Sequence, residues 1–283
     1  QFLAIAMGMA DTVVAASCGE AVVSGISLVD SICVLLIGLF TAMASGGAVV
    51  AAQYMGHGDK EMVGRASNQL FIAVGGVALL FMTIALIWNK GLLALLYGNV
   101  EADVMNAARI YFYIVAVSFP FLGIYNGGAA LFRAVGDSKV SMKVSLVANL
   151  VNIAGNAILI FGFNMGVAGA AISTLVSRIL MSIIMICRQR VPKQEIVIRD
   201  YFSIRPDMKL ILIILSVGIP SGIENGMFQF GKLAIQSTVS TLGTTAIAAQ
   251  AMTIILENLN GIAAMGIGIG LMTIVGQCIG AGE

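Results

Sequence analysis

The chain has 283 residues, of which 59% are hydrophobic and 10% charged, with a formal net charge of +1. An ordinary soluble domain carries about 25% charged residues, so this chain cannot cover itself with polar surface. The net charge decides nothing about partners; the placement of the charges does.

Apolar stretches of helical length recur at 1 to 17, 25 to 55, 66 to 88, 104 to 132, 144 to 162, 167 to 187, 210 to 240 and 245 to 280. A bilayer core needs roughly 20 such residues per crossing, and only the first stretch falls short. Membrane strands would alternate in polarity, whereas these runs are continuous. The sequence therefore predicts an all-α polytopic membrane protein with eight transmembrane helices in view. The chain opens on Gln1 without a basic leader, so the first stretch is expected to be the clipped remainder of a longer helix rather than a signal peptide. Four cysteines, Cys18, Cys33, Cys187 and Cys278, have no CxxC spacing and no nearby His, so they are expected to be packing residues, not disulfides or zinc ligands. The single His57 sits among loop glycines and is expected to be solvated.

Lys and Arg concentrate on cytoplasmic loops. Lys60 and Arg65 follow the second stretch, Arg133, Lys139 and Lys143 the fourth, and Arg188, Arg190, Lys193, Arg199, Arg205 and Lys209 the sixth. This places the loop 56–65 and the linker 188–209 in the cytoplasm, with the first helix running outward and the protein in the cell (inner) membrane. Trp88, Tyr97, Tyr111 and Tyr113 are expected at the outer interface, where aromatic rings anchor helices. The linker holds two prolines and mixed charge and marks a seam. The expected units are an N-terminal lobe at 1–190, a cytoplasmic linker at 191–207, and the start of a C-terminal lobe at 208–283.

A shift of 224 residues places Gln53 on Gln277, Gly56 on Gly280, Gly58 on Gly282, Asp59 on Glu283, Gly46 on Gly270 and Gly19 on Gly243. The pattern Q-x-x-G-x-G-[DE] thus closes two long helices, each preceded by a Gly-containing turn and another helix. An even number of helices separates the copies, so both units keep one orientation, as in transporters built from parallel repeats. In this register Gln1 pairs with Asn225, so a fragment is expected, lacking part of its first helix and everything after the eighth.

GMADTVVA at 8 to 15, QYMGHGD at 53 to 59, LFRAVGDSKVSMK at 131 to 143, NIAGNAILIFGFNMGVAGAAIST at 152 to 174 and the closing GQCIGAGE resemble the MATE (multidrug and toxic compound extrusion) family along essentially the whole chain. The resemblance implies twelve helices in two six-helix lobes, a central cavity and cation-coupled export by alternating access.

A carboxylate in hydrocarbon costs about 3 kcal/mol even on insertion scales, so each must find water, a partner, a proton or a metal ion. Asp11 lies in the first stretch. Asn152 and Asn156 share a helix face, as do Ala170 and Thr174. Carboxylate, amide, hydroxyl and carbonyl oxygens are the hard donors an alkali cation prefers, and a buried carboxylate also holds a proton more readily. The resemblance implies that these positions form the cation site of the first lobe, a possible Na+ site at Asp11, Asn152, Asn156 and Thr174. Many relatives carry Asp where Asn156 stands, which should weaken Na+ binding here. The alternative is that the asparagines only tie helices together. Glu224, four residues after Pro220, is expected to form a buried charge cluster with Lys232 and Glu257 in the second lobe, or else a structural charge pair. Asp30 is expected near the outer end of its helix, reaching interface water. Arg178 has no partner evident from sequence. Pro120, Pro220, Gly46 with Gly47, and GIGIG at 266 to 270 are candidate hinges, although small residues also permit close helix packing.

The expected function is an Na+- or H+-coupled antiporter that exports amphipathic or cationic compounds, with a lipid-linked precursor flippase of the same superfamily as the alternative. No membrane-embedded His and no Ser-His, Cys-His or HExxH set is present, so an enzyme is not expected. The expected partners are the lipid bilayer and a small-molecule substrate. No nucleic acid and no cofactor beyond the coupling ion is expected, and the chain is expected to be monomeric.

Overall fold

A computed structural model describes residues 19–97, 101–190, 206–240 and 244–282, and every described element is helical. In chain order these are α1 (Glu20–Gly56), α2 (Lys60–Ile87), α3 (Asn89–Tyr97), α4 (Ala102–Ala116), α5 (Phe119–Ala134), α6 (Ser138–Asn156), α7 (Gly166–Gln189), α8 (Met208–Ser240) and α9 (Thr244–Ala281). Among the described residues five helices are long and apolar enough to cross a bilayer, or six if one bent pair is a single span. The predicted first stretch lies outside the described residues. The last falls within α9.

The repeated helix ending has a local cause. Gly58 adopts φ +76°, a left-handed conformation that glycine takes without a Cβ penalty and that commonly ends helices. The amide of His57 then reaches the Gln53 carbonyl at 3.0 Å. Asp59 accepts from the Met62 amide at 3.0 Å, capping α2. Gly282, its counterpart in the second copy, also has positive φ.

The stretch expected as one helix over 104–132 is two, α4 and α5, bent by 54° at Val117 and Ser118. Pro120 in the first turn of α5 explains the break, because proline fits the start of a helix but not its interior. The anticipated Pro220 hinge instead lies inside an unbroken α8. An extra helix, α3, occupies part of the gap between the apolar stretches 66–88 and 104–132.

α1 is the centre of the bundle and contacts α2, α4, α5, α8 and α9. Phe40 on α1, Leu70 on α2, Phe112 on α4 and Phe119 on α5 are fully or nearly fully buried in one apolar core. Small residues set the approach of the helices. A Cβ on Gly46 would overlap the Ile214 carbonyl oxygen of α8, and one on Gly25 would press on Ala107 and Ala108 of α4. The glycines expected as a hinge in α1 therefore act as a packing face. Leu79, Leu80, Ile87, Leu150 and Ile158 point outward and remain exposed, as they can where lipid is the solvent.

The interface aromatics divide. Trp88 and Tyr113 are exposed, but Tyr111 is buried in the core because it sits on the inward stripe of α4. Cys33 is buried whereas Cys187 is exposed, so the packing role does not extend to Cys187; Cys18 lies outside the described residues.

Candidate functional site

α1, α4, α5, α6 and α7 enclose a cavity of about 310 Å³. Helical periodicity aims the polar side chains at it. Ser27 and Asp30 share a face of α1; Asn149, Asn152 and Asn156 lie three and four residues apart on α6; Ala170, Thr174, Ser177 and Arg178 form a stripe on α7. Tyr111 of α4 completes the polar lining.

The α6–α7 wall is tightly joined. Gly155 sits against the Ser173 hydroxyl, which lets the two helices approach until Ser173 Oγ donates to the Asn152 carbonyl at 2.7 Å. Asn152 Nδ2 donates to Thr174 Oγ1 at 3.3 Å, and Asn156 Nδ2 donates to Asn152 Oδ1 at 3.4 Å. Thr174 Oγ1 in turn donates to the Ala170 carbonyl at 3.0 Å. Four of the sequence-predicted site residues, Asn152, Asn156, Ala170 and Thr174, thus stand in one hydrogen-bonded row on the cavity wall. Immediately after Asn156 the helix widens into a π turn over Ala157–Gly162, a feature found often at functional sites. Asp11, the fifth predicted member, lies outside the described residues.

Two charged residues that the sequence left without a role also reach the cavity. Asp30 lines it and accepts from Tyr111 at 3.4 Å, so it does not simply meet interface water. Arg178 donates to Ser118 Oγ at 2.7 Å, at the break between α4 and α5, which supplies the partner missing from sequence. The available signal was register: Arg178 lies four residues beyond Thr174, and Asn149 three before Asn152. Asp30 carried no such signal, because only tertiary packing decides which side of α1 faces α7.

Of the proposed second cluster, Glu224 is exposed. Lys232 Nζ stands 5.0 Å from the centre of the Phe228 ring. The side chain of Glu257 lies outside the described residues. His57, expected to be solvated, is in contact through Nδ1 with the Gly280 carbonyl, because α9 ends beside the α1–α2 turn.

Bilayer-length helices wrapped around a polar cavity define a multi-pass membrane protein. A family model described as MatE matches residues 1–158 and 220–283, and the chain belongs to that family. It is 27% identical to the probable multidrug resistance protein NorM of Thermotoga maritima over 99% of this chain and 61% of the relative. It is 25% identical to the multidrug export protein MepA of Staphylococcus saprophyticus, over 89% and 55% respectively. A MATE protein solved in a bent conformation aligns with a TM-score of 0.90 at 19% identity, over 97% of this chain and 61% of that one. An outward-facing multidrug resistance transporter of the family aligns with a TM-score of 0.88 over 98% and 61%. The chain spans about 61% of the length of these solved relatives.

Proposed function

We propose that the chain is the greater part of an exporter that couples inward flow of Na+ or H+ to outward release of amphipathic, cationic small molecules. The observation that carries this reading is the row Asn152, Asn156 and Thr174 facing Asp30 inside an apolar bundle. Polar groups held in hydrocarbon are costly and mark ion or substrate paths. In this proposal Asp11, which lies outside the described residues, contributes a carboxylate beside the amide and hydroxyl oxygens of the row, a donor set suited to a hard cation.

In this reading residues 1–190 form one lobe, 191–207 the cytoplasmic linker and 208–283 the opening of a second lobe. The ends of α1, α5 and α7, with their basic turns, lie on the cytoplasmic side. Ties between the lobes support closure there. Thr273 donates to the Arg133 carbonyl at 3.2 Å and Gln277 to the Ala134 carbonyl at 2.9 Å, while the Asp207 amide, at the end of the linker, donates to Gln69 at 3.0 Å. Ion and substrate then favour different arrangements of the lobes, which is the requirement for coupling. Glu224, Lys232 and Glu257 are the charged residues proposed within the apolar stretches of the second lobe. A flippase for anionic lipid-linked precursors would want a net positive cavity. Among the described lining residues Asp30 offsets Arg178, which favours drug export.

The test is efflux of a fluorescent cation from proteoliposomes under Na+ and proton gradients imposed separately, with Asp11→Asn as control. Export driven by one gradient and lost in the control is expected; flux indifferent to both gradients would overturn the proposal.

A further inference from the structure

The duplicated helix ending does more in the fold than stop two helices. α1 and α9 cross near their C-terminal ends, and residues that correspond under the 224-residue shift meet there. Ala52 corresponds to Gly276, and a Cβ on Gly276 would stand 3.0 Å from the Cβ of Ala52. On either side of this point the contacts are reciprocal. Gly56 lies against the Gln277 carbonyl oxygen, and Gly280 against the Gln53 carbonyl oxygen; a Cβ on either glycine would overlap the oxygen it faces. Gln53 corresponds to Gln277 and Gly56 to Gly280, so each copy lays its glycine on the other copy's glutamine backbone. This is the self-complementary contact of a local two-fold axis. Close glycine packing by itself is common between membrane helices, whereas a contact made twice by equivalent residues requires the two helices to meet in one specific register.

Side chains secure the crossing unequally. His57 Nδ1–H donates to the Gly280 carbonyl, while its counterpart, Ala281, has no donor to return. Gln277 Nε2 donates to the Ala134 carbonyl at 2.9 Å, tying α9 to the end of α5.

We infer that the two Gln-x-x-Gly endings form an inner latch: they seat in each other to seal the cytoplasmic end, His57 bolts one side, and they part whenever the cavity opens inward. The latch rests on the alternating-access reading above and names the contact that must break within it. The carbonyl oxygens at the crossing allow a glycine opposite and nothing larger, so closure is sensitive to a single methyl group. Loss of the His57 bond removes one net hydrogen bond, which shifts a two-state equilibrium roughly fivefold.

The experiment uses the full chain, reconstituted, with native cysteines replaced by serine and spin labels on Lys139 and Lys209, one at the inner end of each lobe. The unmodified sequence should show mainly the short inter-label distance. Gly56→Ala and Gly280→Ala should raise the long-distance population roughly tenfold or more, His57→Ala roughly fivefold. Gly75→Ala, whose added methyl meets nothing within 4 Å, should leave the distribution unchanged. Folded, monodisperse Gly56→Ala and Gly280→Ala variants that keep the short distance would overturn the latch. Should those variants fail to fold, Ala52→Cys with Gly276→Cys decides. Bridging the pair should stop transport and reduction restore it, and transport by the bridged protein overturns the inference. The readings fail separately, because absence of gradient-driven export refutes the exporter whatever the label distances report.

Discussion

Replacing Gly155 by alanine tests whether the wall between α6 and α7 is built to hold the polar row. The new Cβ would stand 2.5 Å from Ser173 Oγ and 3.2 Å from Ser173 Cβ, so the helices must separate or the hydroxyl must turn. Turning it breaks the 2.7 Å bond to the Asn152 carbonyl, at a cost of about 1 kcal/mol. Overpacking adds about 1–3 kcal/mol, and the better helix propensity of alanine returns up to about 1 kcal/mol. The net expectation is a loss of about 1–3 kcal/mol. Because Asn152 also reaches Thr174 at 3.3 Å, separation pulls the row apart, and cation affinity should fall roughly tenfold, equivalent to about 1.4 kcal/mol. Gly155→Ala combined with Ser173→Ala removes the hydroxyl under the clash, so the double variant should be no less stable than Ser173→Ala alone. The assays are thermal stability of the purified protein and calorimetric Na+ titration. Additive effects in this double-mutant cycle, or wild-type Na+ affinity in Gly155→Ala, would refute the reasoning.

Other consequences follow from the same geometry. Asn156→Asp adds a carboxylate to the row and should tighten Na+ binding at least tenfold, since a charge pair at 4 Å is worth about 4 kcal/mol at an effective dielectric constant near 20; unchanged calorimetric affinity would place the cation elsewhere. Arg178→Gln removes the charged donor to Ser118 at the α4–α5 break and should cost about 1.5–3 kcal/mol of stability, measurable by thermal unfolding. Gln69→Leu deletes the acceptor of the Asp207 amide and should destabilise the tie between α2 and the start of α8 by about 1–3 kcal/mol, read as faster proteolysis near residue 207. Lys232→Ala should alter the rate of gradient-driven efflux or its pH dependence, and unchanged transport would remove Lys232 from the mechanism.

Much of the site was legible because a helix reports its own faces. Asn152 with Asn156, and Ala170 with Thr174, are joined by spacing alone, and the structure places them in one row. Asp30 and Tyr111 were misread because depth along a helix says nothing about which neighbour it faces. His57 was misread for a related reason, since a loop residue looks solvated until a helix end from more than two hundred positions away arrives beside it.

The amino-acid sequence alone determines the solvent, the presence of long apolar helices and the duplicated helix ending, because these depend on local composition and period. Hydrocarbon admits only segments that satisfy their own backbone, so a chain this apolar has little choice. Tertiary structure alone decides that Asp30 and Arg178 share a cavity with the asparagine row, and that the repeated glycines meet each other across α1 and α9. Those pairings depend on rotation and register between distant helices, which are set by the packing of many small contacts at once.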